Sequence, residues 1–343
     1  MLRLKKRVLT TGIATLALLA LPTASAQALK VVSTFSIISD FARNVGGDRI
    51  ELTTLVGPDG DAHSYEPRPT DATAIKDADV VLVNGIGFEG FLDRLIQASG
   101  GTATVVQASE GAELLRNNAG HSHHEEHNHP KDHAHHDDHG HHHDHDHDHE
   151  NEHRHEDKDT SAHHHHGEYD PHAWQSVDNA QVYVNNIANA FCAADQQGCP
   201  VYKANARSYN ERLKALQKDL EAKVAQIPPD QRTIITSHDA FAYLGRAYGL
   251  QFSSPQGAST GSEASAGDMA ALIRQIRDEK AAAIFLENIS NPRLIQQIAG
   301  ETGMSIGGKL YSDALSGESG PASTYIDMMR HNIDAISDAA RQK

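Results

Sequence analysis

From Leu29 onward, short apolar runs alternate with stretches whose apolar residues recur every three or four positions, and the alternation occurs twice. In the first half, candidate strands are Lys30–Thr34, Leu52–Val56, Val80–Asn84 and Thr104–Val106, with helical spacing over Ile37–Val45 and Phe88–Gln97. A second run of the same kind covers Thr233–Ile235, Ala240–Tyr248, Met269–Ile276, Ala282–Leu286, Leu294–Ile298, Ser305–Leu310 and Tyr325–Ala340. Such alternation builds βα units and a largely parallel sheet. Between the runs, Tyr209, Leu213, Leu216, Leu220 and Val224 line one face of a long helix over Tyr202–Gln226, which Pro228-Pro229 ends. The expected fold is α/β, two halves joined by one long, stiff helix.

Two segments stand outside this pattern. Arg3, Lys5, Lys6 and Arg7, an apolar run from Ile13 to Leu21 and the small residues Ala24-Ser25-Ala26 read as a secretory signal over 1–26. The run is too short for a spanning helix of about 20 residues. No cysteine lies near the cut, which argues against lipid modification. From His121 to His166 there is almost no apolar residue, so the segment cannot bury enough surface to offset its ordering entropy. The expected divisions are a first lobe over 27–200 carrying a His/Asp-rich disordered loop at 121–168, a linking helix over 201–227, and a second lobe over 228–343.

Export bears on the two cysteines, Cys192 and Cys199. Outside the cytosol a disulfide closing a short loop is favoured, and Gln196-Gln197-Gly198 with Pro200 suits a turn there. A two-cysteine zinc site is the other reading, although the spacing lacks the C-x-x-C form. The formal charge of −16 is concentrated: 14 acidic residues face three basic ones between His121 and Glu168. No basic and aromatic interleaving supports nucleic-acid binding.

Histidine distribution carries the chemistry. Of 25 histidines, 21 lie between His121 and His166, leaving His63, His172, His238 and His331 for the body. The first three sit in loops beside small and acidic residues, whereas His331 falls mid-helix and is assigned no role. In open α/β sheets, ligand sites gather at the carboxyl ends of strands, where these loops belong. Asp313 follows the last candidate strand and offers a fourth donor. Three imidazoles and a carboxylate suit Zn²⁺ in tetrahedral geometry, two donors coming from each half. Tyr65 and Ser237 could hydrogen-bond around them, and Trp174 could wall the cleft or fill the core.

The segments around these residues carry a resemblance. DAHSYEP at His63, NGIGFEGFLDRL at Asn84–Leu95, DPHAW at His172, SHDAFAYLGRAYGL at Ser237–Leu250, LENISNP at Leu286–Pro292 and YSDALS at Tyr311–Ser316 closely resemble the metal-specific periplasmic binding proteins of ABC importers, the ZnuA/TroA family. The resemblance implies two pseudo-symmetric lobes, a rigid linking helix and a metal in the inter-lobe cleft, held at His63, His172, His238 and Asp313. Manganese members tend to carry Glu at the third position and zinc members His, as at His238; with three histidines plus Asp313 the chain is similar to the AztC-type zinc branch. Some zinc members complete the site with water or a nearby acid such as Glu66, and Glu287 is a supporting residue. The resemblance further implies a periplasmic location, Zn²⁺ as cargo, and a membrane permease with its cytoplasmic ATPase as recipients. In that branch it adds a periplasmic metallochaperone as donor; a monomer is expected.

The tract can collect zinc near the cleft or simply buffer it. Manganese binding within the same family is the first alternative. A zinc hydrolase is another, with Glu66, Asp239 or Glu287 as base. Against it, the sequence has no H-E-x-x-H helix, and a fourth ligand at Asp313 would close the site to water. A metal store using the tract alone leaves both lobes without a purpose.

Overall fold

The computed structural model describes residues 28–117, 167–279 and 281–341. The expected signal segment over 1–26 and the tract from His121 to His166 lie outside the described residues; of the expected loop over 121–168, only Gly167 and Glu168 lie inside them.

The first lobe opens with β1 (Leu29–Phe35), which runs directly into α1 (Ser36–Gly46), followed by β2 (Ile50–Val56), α2 (Pro69–Asp77), β3 (Val80–Val83), α3 (Leu92–Ser99) and β4 (Thr104–Gln107). All pairings are parallel, in the order β2-β1-β3-β4. After the undescribed residues come α4 (Val177–Ala194) and α5 (Cys199–Val224). The second lobe comprises β5 (Thr233–Ile235), α6 (Ala242–Tyr248), β6 (Gln251–Ser253), α7 (Ala266–Glu279), β7 (Ala283–Glu287), α8 (Pro292–Thr302), β8 (Ile306–Leu310) and α9 (Tyr325–Arg341). Its sheet, β6-β5-β7-β8, is again all parallel and repeats the order of the first. The central strands β1 and β3 are buried along nearly their whole length, as strands covered on both faces must be.

The linking helix differs from expectation at both ends. It starts at Cys199 because Pro200 sits in the first turn, where a missing N–H leaves no hydrogen bond unmade, and it closes at Val224 ahead of Pro228. Its 26 residues span about 39 Å. Tyr202, Tyr209, Leu213, Leu216, Leu220 and Val224 form its buried stripe, and the helix packs against α1, α4, α6 and α9. One apolar core therefore runs through both lobes, with a smaller cluster under α7 and α8. Buried polar ties reinforce this seam. Asp40 of α1 accepts from the Tyr209 hydroxyl and from the Tyr325 backbone N–H, each at 3.1 Å. Tyr325 in turn donates to the Trp174 carbonyl at 2.7 Å. A disulfide joins Cys192 to Cys199 across the α4–α5 turn.

Two elements carry no clear sequence signal. α2 has one buried residue, Ile75, and so shows no apolar stripe, while β6 is a three-residue edge strand. Over Phe88–Gln97 the helix begins only at Leu92. Its intended first turn is held as a loop by the buried Glu89 carboxylate, which accepts from the backbone N–H of Asn84 (2.6 Å) and Gly85 (3.1 Å) and from the Thr34 hydroxyl (2.7 Å).

Candidate metal centre

The two sheets point the carboxyl ends of their strands at the seam between the lobes, and four chain segments meet there. His63 lies in the loop after β2, and His172 in the turn leading to α4. His238 follows β5, and Asp313 follows β8. One donor atom from each lies within 4.8 Å of every other. His63 Nε2 is 3.2 Å from Asp313 Oδ2 and 3.4 Å from His172 Nε2. His238 Nε2 is 3.1 Å from Asp313 Oδ2, and His172 Nε2 is 3.5 Å from Asp313 Oδ1. The side chains of His172, His238 and Asp313 are fully buried, and that of His63 is 4% exposed.

Each lobe holds its buried imidazole from behind with a carboxylate. Asp170 Oδ1 lies 2.7 Å from His172 Nδ1 and also accepts the His172 backbone N–H at 2.9 Å. Glu287 Oε2 lies 2.7 Å from His238 Nδ1, while Oε1 accepts the backbone N–H of Ser237 (2.7 Å) and His238 (2.9 Å). A carboxylate at Nδ1 favours the tautomer that keeps its proton there, so that the Nε2 lone pair faces the cluster. Trp174 is core: it packs edge-on to His172, with ring centres 5.3 Å apart, and its indole N–H donates to the Ser312 carbonyl beside Asp313.

The electrostatics of the cluster are those of a site built for a cation. Burial works against the charged form of His172, yet the Asp313 and Asp170 carboxylates push it up to about 9. Burial likewise opposes charge on His238, but Glu287 and Asp313 raise it well above the ordinary histidine range. Burial pushes His63 down, with Asp313 only partly compensating. Asp313 is itself held well below the usual carboxylate range, despite burial, by His172 and His238. Its buried Oδ1 has no hydrogen-bond partner. A buried carboxylate oxygen without a partner, with His172 Nε2 3.5 Å away, is costly in isolation and would be satisfied by a metal ion.

The four residues that the sequence singles out thus converge. Glu66 does not join them: it is exposed on the wall of a cavity outside His63. Glu287 stands behind His238 rather than at the cluster. Asp170 has no assigned role in the sequence reading; its signal was its place two residues before His172, the same Asp-x-His spacing as Asp61 to His63. His331 lies on α9, its Nε2 2.9 Å from the Lys309 carbonyl.

Residues 31–339 match the family model described as ZnuA, zinc-uptake complex component A periplasmic. The chain is 30% identical over 316 residues to the manganese-binding lipoprotein MntA of Halalkalibacterium halodurans, covering 92% of this chain and 90% of the relative. Among solved structures, the periplasmic zinc-binding protein TroA of Treponema pallidum is 27% identical, with a TM-score of 0.73 over 92% of this chain and 99% of that one. The Mn-bound periplasmic metal-binding protein of Candidatus Liberibacter asiaticus is 28% identical, with a TM-score of 0.70 over 90% of this chain and 98% of that one.

Proposed function

Because the chain belongs to the family of periplasmic metal-uptake components typified by ZnuA, we propose that it captures Zn²⁺ between its lobes and delivers it to the permease and ATPase of an ABC importer. It is a periplasmic solute-binding transport protein, not an enzyme. The observation that supports the cargo is the donor set, three imidazoles and one buried carboxylate brought within 4.8 Å of one another. Zinc bonds of about 2.0–2.1 Å give a tetrahedron with edges of about 3.3–3.4 Å. Three separations lie near that value, His63 Nε2 to His172 Nε2 at 3.4 Å and His63 and His238 Nε2 to Asp313 Oδ2 at 3.2 and 3.1 Å, and one donor atom from each of the four lies within 4.8 Å of every other. In this reading His63, His172, His238 and Asp313 hold the ion, and Asp170 and Glu287 orient two of the imidazoles. The AztC-type branch, with a periplasmic metallochaperone as donor, rests on the set of three histidines plus Asp313. The 21 histidines between His121 and His166 supply many weak sites that collect or buffer zinc.

Manganese is the second reading, and the names of the relatives favour it: both the Halalkalibacterium lipoprotein and the Liberibacter structure carry that metal in their description. Relative affinity alone does not separate the two, since nitrogen-rich sites bind Zn²⁺ above Mn²⁺ in any case. Coordination number does. Loaded with Co²⁺, the protein should show the intense visible bands of a four-coordinate ion, and zinc absorption-edge spectroscopy should give four ligands with three imidazoles. A weak, six-coordinate cobalt spectrum would turn the assignment to manganese.

A further inference from the structure

We propose that the loop carrying His63 is the part of the site that opens to admit and release the ion, and that the Asp61–Thr260 hydrogen bond across the cleft sets how fast it opens. The inference rests on the metal-site reading above and adds residues that touch no metal.

The four donors are not held alike. His172 is fixed by Asp170 and by the edge of Trp174, and His238 by Glu287, each within its own lobe. Asp313 follows Ser312, whose carbonyl accepts from both Trp174 Nε1 (3.0 Å) and Gln175 Nε2 (2.7 Å). For His63, no carboxylate among the described residues lies against Nδ1; its ring merely meets the edge of Phe88, with centres 4.7 Å apart. His63 is also the one of the four that lines a cavity of about 470 Å³ opening to solvent, together with Tyr65, Glu66, Ser259 and Gly261. The way from the cluster to water therefore runs past His63.

What holds the His63 loop is Asp61. Its Oδ1 accepts the His63 backbone N–H at 2.9 Å, and its Oδ2 accepts the Ser64 hydroxyl at 2.7 Å, both within the loop. The third bond leaves the lobe: Thr260 Oγ1, in the segment between β6 and α7, donates to Asp61 Oδ2 at 2.7 Å. One end of the loop is anchored separately, since the Asp59 N–H donates to the Leu315 carbonyl (2.8 Å) and Asn288 Nδ2 to Asp59 Oδ1 (3.1 Å). The loop is thus pinned at Asp59 and latched at Asp61, and releasing the latch frees His63 without disturbing the other three donors. A charge-assisted hydrogen bond of this kind is strong enough to govern a local opening.

The test uses Thr260→Val, which removes the hydroxyl at constant shape, and Thr260→Ser, which keeps it. Zinc-loaded protein is mixed with excess fluorescent chelator and the release rate is followed by stopped flow, while Co²⁺ spectra report the coordination. Thr260→Val should release zinc about tenfold faster or more with an unchanged cobalt spectrum, and Thr260→Ser at the rate of the unaltered protein. In a His63→Ala background, Thr260→Val should add nothing, because the latch acts through His63. An unaltered rate in Thr260→Val, or an equal acceleration without His63, overturns the latch. If the unaltered protein binds neither zinc nor cobalt, the metal-site reading falls, and the latch with it; a six-coordinate cobalt spectrum changes the cargo and leaves the latch to be decided by the release rates.

Discussion

Raising the pH from 7 to 9 should tighten zinc binding by at least about a hundredfold. In the metal-free site the Asp313 and Asp170 carboxylates, overcoming burial, push His172 up to about 9. At pH 7 a group titrating near 9 is protonated about 100 to 1. Zinc takes the Nε2 lone pair, so one proton must leave for each ion bound, and apparent affinity rises about tenfold per pH unit until the group titrates. His238 is also raised, by Glu287 and Asp313 against burial, and its proton steepens the slope. His63, shifted down by burial, adds nothing above neutrality, and Asp313 stays ionised throughout. Competition against a zinc chelator of known proton affinity, from pH 6 to 9, measures the slope. Calorimetry in buffers of different ionisation enthalpy counts the protons, and at least one per zinc is expected at pH 7.5. A flat profile with no proton release would show that the carboxylates do not hold imidazolium in the empty cluster. The sign for the metal-free fold is opposite. A raised histidine contributes stability that is full below about pH 6.5 and disappears as pH rises through about 9. The metal-free protein should therefore melt higher at pH 6.5 than at 9.5 as far as this group is concerned.

Asp170→Asn takes away the charge 2.7 Å behind His172, and zinc affinity should fall about 10–100-fold in the same competition assay. Cys192→Ser opens a loop of seven-residue separation; the stability loss should be about 2–3 kcal/mol by denaturant titration, with zinc affinity unchanged. Leu216→Ala, fully buried at the middle of α5, should cost about 2–5 kcal/mol and unfold both lobes in one transition, since they share a core.

The parts of this molecule visible in its sequence are those where one physical demand dominates. Buried strands such as Val80–Val83 must be apolar, and the α5 stripe from Tyr202 to Val224 must repeat at helical spacing. The loop histidines stood out because so few lie outside the tract. Where two demands compete, the sequence was silent. Phe88–Phe91 has helical composition but bends around the Glu89 carboxylate, whose backbone partners at Asn84 and Gly85 leave no trace in side-chain pattern. Ile86, between Gly85 and Phe88, sits at φ 56°, a left-handed conformation that its β-branched side chain gives no reason to expect. Asp61 and Asp170 share one spacing to histidine but diverge in three dimensions, Asp61 reaching Thr260 and Asp170 the His172 ring. Only the fold separates those two aspartates.

The continuous core along α5, with Asp40, Tyr325 and Trp174 tied through it, makes the two halves resemble a book whose spine is glued. Pages bound that way can part only at their free edge. A receiving membrane complex would then meet nearly the same outline whether or not cargo is aboard, and would have to tell the two apart by the lie of a few residues at the rim.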